Sequence, residues 1–206
     1  MEPFTRLTAI AAPLDEPNVD TNQLCPTRFN KLPQGQFARA FFHELRFDLD
    51  GREKDFVLNR EPYRRAKILV GGVNFGCGSS RETAVYGLYE YGFRCVIAPS
   101  FGDIFVKNCF KNGFLPVTLP EQDVAAIRRQ LTEQPGANLT VDLESQTVTD
   151  ATGHAHHFDM HPVRKRCLLK GLDDISRTRE YARQIEAFET AYRSEHAWLF
   201  GAADKT

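Results

Sequence analysis

The residues best suited to chemistry in this chain are Ser79, Ser80 and Arg81, in the run Asn74-Phe75-Gly76-Cys77-Gly78-Ser79-Ser80-Arg81-Glu82. Two hydroxyls and a guanidinium stand beside two glycines, between a strand-like run (Lys67 to Val70) and a helix-like run (Thr83 to Tyr91). A strand-to-helix turn of this kind presents backbone N–H groups and the positive end of a helix dipole, and that place favours an anion. A carboxylate held there would face Arg81 and at least one serine oxygen. The dipole disfavours a cation in the first helical turn, so an arginine at that position points to an anionic partner.

Two structural readings compete with this one. Ser79-Ser80-Arg81-Glu82 fits a capping box, an N-cap serine with a glutamate three residues on, and the glycines would then serve only a tight turn. The cap does not need the second serine, and Glu82 can fix the helix start while the serines face a substrate. A dinucleotide site is the other alternative. Arginine stands where the third glycine of that fingerprint belongs, however, and the next strand, Arg94 to Ala98, ends in Pro99-Ser100 without the required acid.

These residues need a scaffold that joins a strand end to a helix start. The pattern predicts strand 67–71, helix 81–91, strand 94–98, helix 102–111, strand 115–118 and helix 121–132. Gly92 and Gly113 stand where glycines close helices. Strands alternating with helices of this length imply a layered α/β core with parallel pairings. Leu139 to Leu143 alternates with period two, and Gln146 to Thr149, a turn at 150–153 and a run to Met160 complete a β-meander. The N-terminal third, punctuated by Pro13, Pro17, Pro26 and Pro33, reads as irregular, and Phe37 to Asp48 as a helix or an interface segment. From about residue 162 the tail reads as helical, with Gly171 closing one helix and Asp173 or Asp174 capping the next. Phe188, Tyr192, Trp198 and Phe200 read as core or partner contact. One domain over residues 1–206 accommodates all of these elements.

Composition removes several function classes. With 26 basic and 27 acidic side chains, nothing draws the chain to nucleic acid. No apolar run approaches the roughly 18 residues of a membrane span, and the first residues lack a signal core. A soluble, cytoplasmic protein is expected. The five cysteines are scattered and odd in number, which is neither a disulfide framework nor a zinc site. Cys95 and Cys109 fall in apolar patterns as buried thiols, and Cys77 suits backbone positioning better than nucleophilic attack. His154 and His156 would share one face of a strand, yet Asp159 is the one further ligand type in that run. An exposed polar strand is expected there, and no metal site.

Four blocks carry a resemblance. Asn74 to Glu82 (NFGCGSSRE), Tyr91 to Lys111, Cys167 to Ile175 (CLLKGLDDI) and the early Val19 to Leu24 resemble the small subunit of 3-isopropylmalate dehydratase, in the aconitase superfamily. The similar segments run from about residue 18 to residue 180. The resemblance implies a three-layer swivelling β/β/α domain with a C-terminal helical tail. It also implies a hydro-lyase that moves a hydroxyl between adjacent carbons of a malate-type dicarboxylate through an alkene, converting 2-isopropylmalate and 3-isopropylmalate in leucine biosynthesis. The Lewis acid would be a [4Fe-4S] cluster on a separate large subunit, without which this chain would be inactive. The cysteines of this chain form no set suited to a cluster of its own. A related dehydratase for citramalate or dimethylmalate, or a non-catalytic subunit, are the alternatives.

By that resemblance Ser79 is the base, an alkoxide stabilised by backbone N–H groups of Gly76, Cys77 and Gly78 and by the helix start. Ser80 and Arg81 bind a substrate carboxylate, Arg81 in a bidentate pair, and Arg28 is a second anion-binding residue. Two positions depart from the family pattern. Thr83 stands where histidine is usual, and Asn22 where a second aspartate is usual, removing a charge expected to orient Arg28.

Overall fold

The computed structural model describes residues 1–200, so positions 201–206 of the expected domain lie outside the described residues. Seven strands form one mixed sheet: β1 (Arg6–Pro13), β2 (Ile68–Val70), β3 (Cys95–Ala98), β4 (Leu115–Thr118), β5 (Asn138–Asp142), β6 (Thr147–Thr149) and β7 (Ala155–His157). Their order across the sheet is β4-β3-β2-β1-β5-β6-β7. The α-helices of the described residues are α1 (Thr21–Leu24), α2 (His43–Arg46), α3 (Thr83–Tyr91), α4 (Asp103–Lys111), α5 (Glu121–Glu133), α6 (Pro162–Lys170), α7 (Asp174–Arg179) and α8 (Ala182–Glu195).

β2 and β3 are buried along their whole length, as a parallel sheet covered on both faces requires. The path β2-α3-β3-α4-β4 steps in one direction, and right-handed crossovers therefore put α3 and α4 on the same face. Leu69 and Val96 meet Ala84 and Leu88 of α3 and Phe105 of α4 in the core on that side. Ile68, Val70 and Ile97 point the other way, into a core with Val124, Ile127 and Leu131 of α5. Leu139, Val141 and Val148 of the antiparallel half enter this second core too. The sheet thus curls until its two halves share one interior. Helices α3 and α4, the parallel half and the antiparallel half are the three layers of a β/β/α fold.

Strand β1 is the joint between the halves, and it corrects the reading of the N-terminal third as irregular. Arg6 to Ile10 pairs antiparallel with β5, while Ala11 to Pro13 pairs parallel with β2. Exposed and part-buried positions in the first half give way to consecutive buried alanines in the second. The strand changes partners midway, so neither a period of two nor a continuous apolar run marks it. The segment Phe37 to Asp48 holds only a 3-10 turn (Phe37–Arg39) and the single-turn α2, with Phe41 and Phe42 fully buried.

The tail is helical where expected. Gly171 closes α6 with φ 66°, and Asp173 caps α7 by accepting from the Ser176 N–H at 2.7 Å. No residue from 173 to 199 is buried, which corrects the core reading of Phe188, Tyr192 and Trp198. Phe188, Tyr192 and His196 instead stack on one another, one helical turn apart, at 5.6 and 4.4 Å. The β7 expectation also needs correction. His154 is exposed, but His156 is buried between two carboxylates, with Nε2 at 3.3 Å from Asp150 Oδ2 and Nδ1 at 3.6 Å from Asp123 Oδ2.

Candidate active site

In an open α/β sheet, ligands bind beyond the carboxyl ends of the strands, where loops from neighbouring strands lie side by side. Here the loops after β1, β2 and β3 extend the parallel pairing past the sheet. Asp20 pairs with Cys77, and Phe75 with Phe101. The Thr21 N–H donates to Cys77 O at 2.9 Å, the Gly76 N–H to Val19 O at 2.7 Å, and the Gly102 N–H to Phe75 O at 2.9 Å. The glycine turn is therefore the middle of three locked loops. Gly76 is irreplaceable on two counts: its φ is +72°, and a Cβ there would stand 2.2 Å from the Phe105 ring.

Side chains brace the same loops. Asn18 and Asn74 both occupy the left-handed region, at φ 54° and 58°, which asparagine tolerates better than most residues. Asn74 Nδ2 donates to Asn18 Oδ1 at 2.8 Å, and the Asn74 N–H to Ser100 Oγ at 2.8 Å. The Cys77 thiol donates to Asn18 O at 3.5 Å. One asparagine pair and one serine thus tie the ends of three strands together.

The serine turn itself departs from the expected capping box. Helix α3 begins at Thr83, and its N-cap is Glu82, which makes no side-chain cap. The Arg81 N–H donates to Ser79 O at 2.8 Å, closing a tight turn that keeps the serines ahead of the helix. Glu82 Oε1 instead accepts from Asn112 Nδ2 at 2.9 Å, across to the end of α4. Ser79 and Ser80 are exposed, and neither hydroxyl takes a partner within the described residues. The N–H groups of Gly78, Ser79 and Ser80 also donate to nothing there. The Gly76 N–H is already engaged with Val19, so its part is to shape the turn, and the open donors begin further along.

Helix α1 supplies the facing wall. Asp20 makes the genuine capping box, accepting from the N–H groups of Asn22 and Gln23 at 2.8 and 2.7 Å while its own N–H donates to Gln23 Oε1. That box places Asn22 beside the glycine turn. Asn22 Oδ1 accepts from Arg81 Nη1 at 2.9 Å and from the Thr27 N–H and hydroxyl at 3.1 and 3.0 Å. Thr21 Oγ1 donates to Ser79 O at 3.0 Å. Asn22 therefore orients Arg81, whereas the aspartate usual at this position was expected to orient Arg28. Arg28 sits on the neighbouring turn, ion-paired with Glu44 at 2.9 Å and lying over the Phe29 ring. At the other departure from the family pattern, the Thr83 hydroxyl donates to Asn30 Oδ1 at 3.2 Å.

Arg81 is half-buried and held by neutral acceptors, Asn22 Oδ1 and Cys25 O, with no carboxylate in ion-pair range among the described residues. Its charge is uncompensated. Two free hydroxyls and three free N–H groups flank it, an arrangement that fits a carboxylate ligand. Sequence reasoning singled out Ser79, Ser80 and Arg81 but not Asn18, Thr21 or the partner of Asn22, which the structure places beside them. The adjacency of the early block to the glycine turn exists only through the parallel sheet.

Comparison with known proteins decides the family. The Aconitase C-terminal domain family matches residues 1–122, and the LeuD_N family matches residues 125–162. The 3-isopropylmalate dehydratase small subunit of Roseobacter denitrificans is 48% identical over 201 residues, covering 97% of this chain and all of that one. That of Rhodospirillum centenum is 48% identical over 203 residues, covering 98% and 100%. The chain belongs to the 3-isopropylmalate dehydratase small-subunit family. A crystal structure of 3-isopropylmalate dehydratase (leuD) from Methanocaldococcus jannaschii shares the fold, with a TM-score of 0.61 at 20% identity over 90% of this chain and 98% of the other.

The superfamily is associated with a [4Fe-4S] cluster, whose ligands are cysteine thiolates. The cysteines of this family member do not fit that group. Burial pushes the thiols of Cys25, Cys95 and Cys109 up, away from the thiolate a metal needs. No group of three His, Cys, Asp or Glu side chains among the described residues converges as a metal site.

Proposed function

We propose that this chain is the small subunit of a 3-isopropylmalate dehydratase, the hydro-lyase that interconverts 2-isopropylmalate and 3-isopropylmalate in leucine biosynthesis. The observation that carries this reading is Arg81, uncompensated beside two free serine hydroxyls, in a chain 48% identical to such subunits along nearly its whole length. A cytoplasmic location belongs to the same reading; no described helix is long and apolar enough to cross a membrane.

The reaction requires removal of a weakly acidic proton next to a carboxylate and loss of a hydroxyl from the adjacent carbon. Ser79 is the proposed base, taking the proton onto its oxygen and returning it when water adds back in the other orientation. An alkoxide needs donors, and the free N–H groups of Gly78 and Ser80 with the start of α3 are at hand. Ser80 and Arg81 hold the substrate carboxylate, Arg81 through two parallel N–H donations. Arg28 is proposed for the second carboxylate, which it would take in exchange for Glu44. That ion pair is exposed on both sides, so the exchange costs little. A [4Fe-4S] cluster on a large partner subunit would supply the Lewis acid.

The test is anaerobic mixing of this chain with an iron–sulfur large subunit, followed by assay on isopropylmalate, citramalate and dimethylmalate. The expected result is oxygen-sensitive turnover from the mixture, from neither chain alone, and fastest on isopropylmalate. Faster turnover of a smaller 2-substituted malate would reassign the substrate. Turnover unchanged by loss of the Ser79 hydroxyl would make the chain a non-catalytic subunit.

A further inference from the structure

A groove of about 390 Å³ runs beside the candidate active site, with Ser80 at one end and the junction of α6 and α7 at the other. Its lining includes the apolar Ile104 of α4, Val163 of α6 and Leu172. Ile104 and Val163 are 43% and 44% exposed, so apolar surface next to the serines faces water in the isolated chain. The lining also carries Lys107 and Lys111, one turn apart on α4, and Arg164 on α6. The two lysines make no ion pair or hydrogen bond within the described residues. Arg164 lies over the Phe110 ring at 4.6 Å and has no acidic partner.

Neither acidic residue of the groove pairs with these three cations. The Asp173 carboxylate caps α7, and Asp174 lies 3.6 Å from Arg177. Three cations without a carboxylate partner among the described residues therefore line one groove, beside Asp173 and the Asp174–Arg177 pair.

We infer that this groove docks an acidic segment of the large subunit, a stretch with carboxylates spaced about one helical turn apart and small apolar side chains between them. The inference rests on the function proposed above. A partner that completes the site must cover Ser79 to Arg81, and Ser80 also lines the groove, so the covering chain reaches it. Carboxylates would meet Lys107 and Lys111, while the intervening apolar side chains would cover Ile104 and Val163. The groove is too small to be a whole stable interface, which buries on the order of 800 Å² per partner, and forms its charged margin. Charges at such a margin chiefly speed encounter and select the partner, and salt screens them.

The test uses the full chain and the large subunit under anaerobic conditions, with calorimetric affinity measured at low and high salt. A Lys107→Glu/Lys111→Glu variant is compared with wild type and with Arg52→Glu, a charge reversal on a remote loop. The expected result is association weakened at least about tenfold at low salt, a flatter salt dependence, and turnover at saturating large subunit within about twofold of wild type. Circular dichroism melts check that the variant folds, and a milder Lys107→Gln should fall between the two. Affinity unchanged from wild type overturns the inference, as does an equal loss in Arg52→Glu. An altered KM with unaltered assembly also overturns it, since the groove would then bind a small dicarboxylate. If wild type itself fails to activate the large subunit, the functional reading falls instead.

Discussion

Two places in this molecule gather hydrogen-bond donors, and they differ in whether the chain itself supplies the anionic acceptor. At the hairpin of β6 and β7 it is built in. Asp150 Oδ1 accepts from the Thr152 N–H and hydroxyl and the His154 N–H at 2.8, 2.7 and 3.0 Å, and Oδ2 accepts from Gln130 Nε2 at 3.0 Å, with His156 Nε2 at 3.3 Å. Burial alone would push that carboxyl up, but the donors from Thr152, Gln130 and His156 outweigh it and hold Asp150 well below the usual aspartate range. At the glycine turn the donors are present and no carboxylate of the described residues meets them. Arg81 has no carboxylate in ion-pair range, and the serine hydroxyls and the N–H groups of Gly78 to Ser80 make no hydrogen bond within the described residues. A structural cradle saturates itself, whereas donors left open to solvent are what the function proposed for the glycine turn requires.

The sharpest way to break this contrast is Ser79→Ala. Turnover in the reconstituted enzyme should fall about 10³-fold, with little change in Tm because Ser79 makes no side-chain contact to lose. Rate assay beside a thermal melt separates the two, and a variant retaining a tenth of the rate removes Ser79 as the base. Arg81→Lys comes next. It keeps the charge but loses the fork, and kcat/KM should drop about 10- to 100-fold, mainly through KM. An equal drop in kcat alone would move Arg81 away from ground-state carboxylate binding.

Asp150→Asn should do the opposite, leaving turnover near wild type while costing about 2 kcal/mol of stability, or roughly 4–8 °C in Tm. The new amide would point a donor at Gln130 or His156, where acceptors are needed. A depressed folded-state pKa means the carboxylate's contribution is full above the unfolded aspartate value and is lost as pH falls through the folded one. The stability gap between wild type and Asp150→Asn should therefore shrink as pH is lowered from about 5 to about 3. A gap that widens on acidification would contradict the assignment. The smallest effect is expected for Asn22→Ala, about fivefold in kcat/KM, or roughly 1 kcal/mol for one acceptor withdrawn from Arg81. Asn22→Asp keeps an acceptor at the same place and should restore most of the loss. Failure of that rescue would make Asn22 a brace for Thr27 only.

Much of the scaffold was legible in the chain. The alternation from β2 to α5 could be read closely because its strands are short continuous apolar runs and its first two helices are followed by Gly92 and Gly113, both at positive φ. The tail helices could be read from Gly171 and Asp173 for the same reason. Strand β1 was hidden because it serves two partners with different burial demands. The capping box at Ser79 was misread because a Ser-x-x-Glu spacing does not reveal the tight turn from Arg81 to Ser79, which delays the helix to Thr83. His156 was misplaced because the face a strand residue takes depends on whether a polar partner waits inside, and Asp123 and Asp150 do.

The sequence alone determined which groups can do chemistry: the identity and order of Gly76, Ser79, Ser80 and Arg81, and the strand-to-helix turn that displays them. These follow from local backbone preference and side-chain type, which neighbours along the chain decide. Tertiary structure alone decided what each group is free to do. The Gly76 N–H is engaged by Val19, Arg81 is steered by Asn22 from across the sheet, and Arg28 is held by Glu44. Hydrogen-bond partners 50 or more residues away in sequence, brought near by parallel pairing of β1 with β2, set which donors of the turn remain open to a ligand.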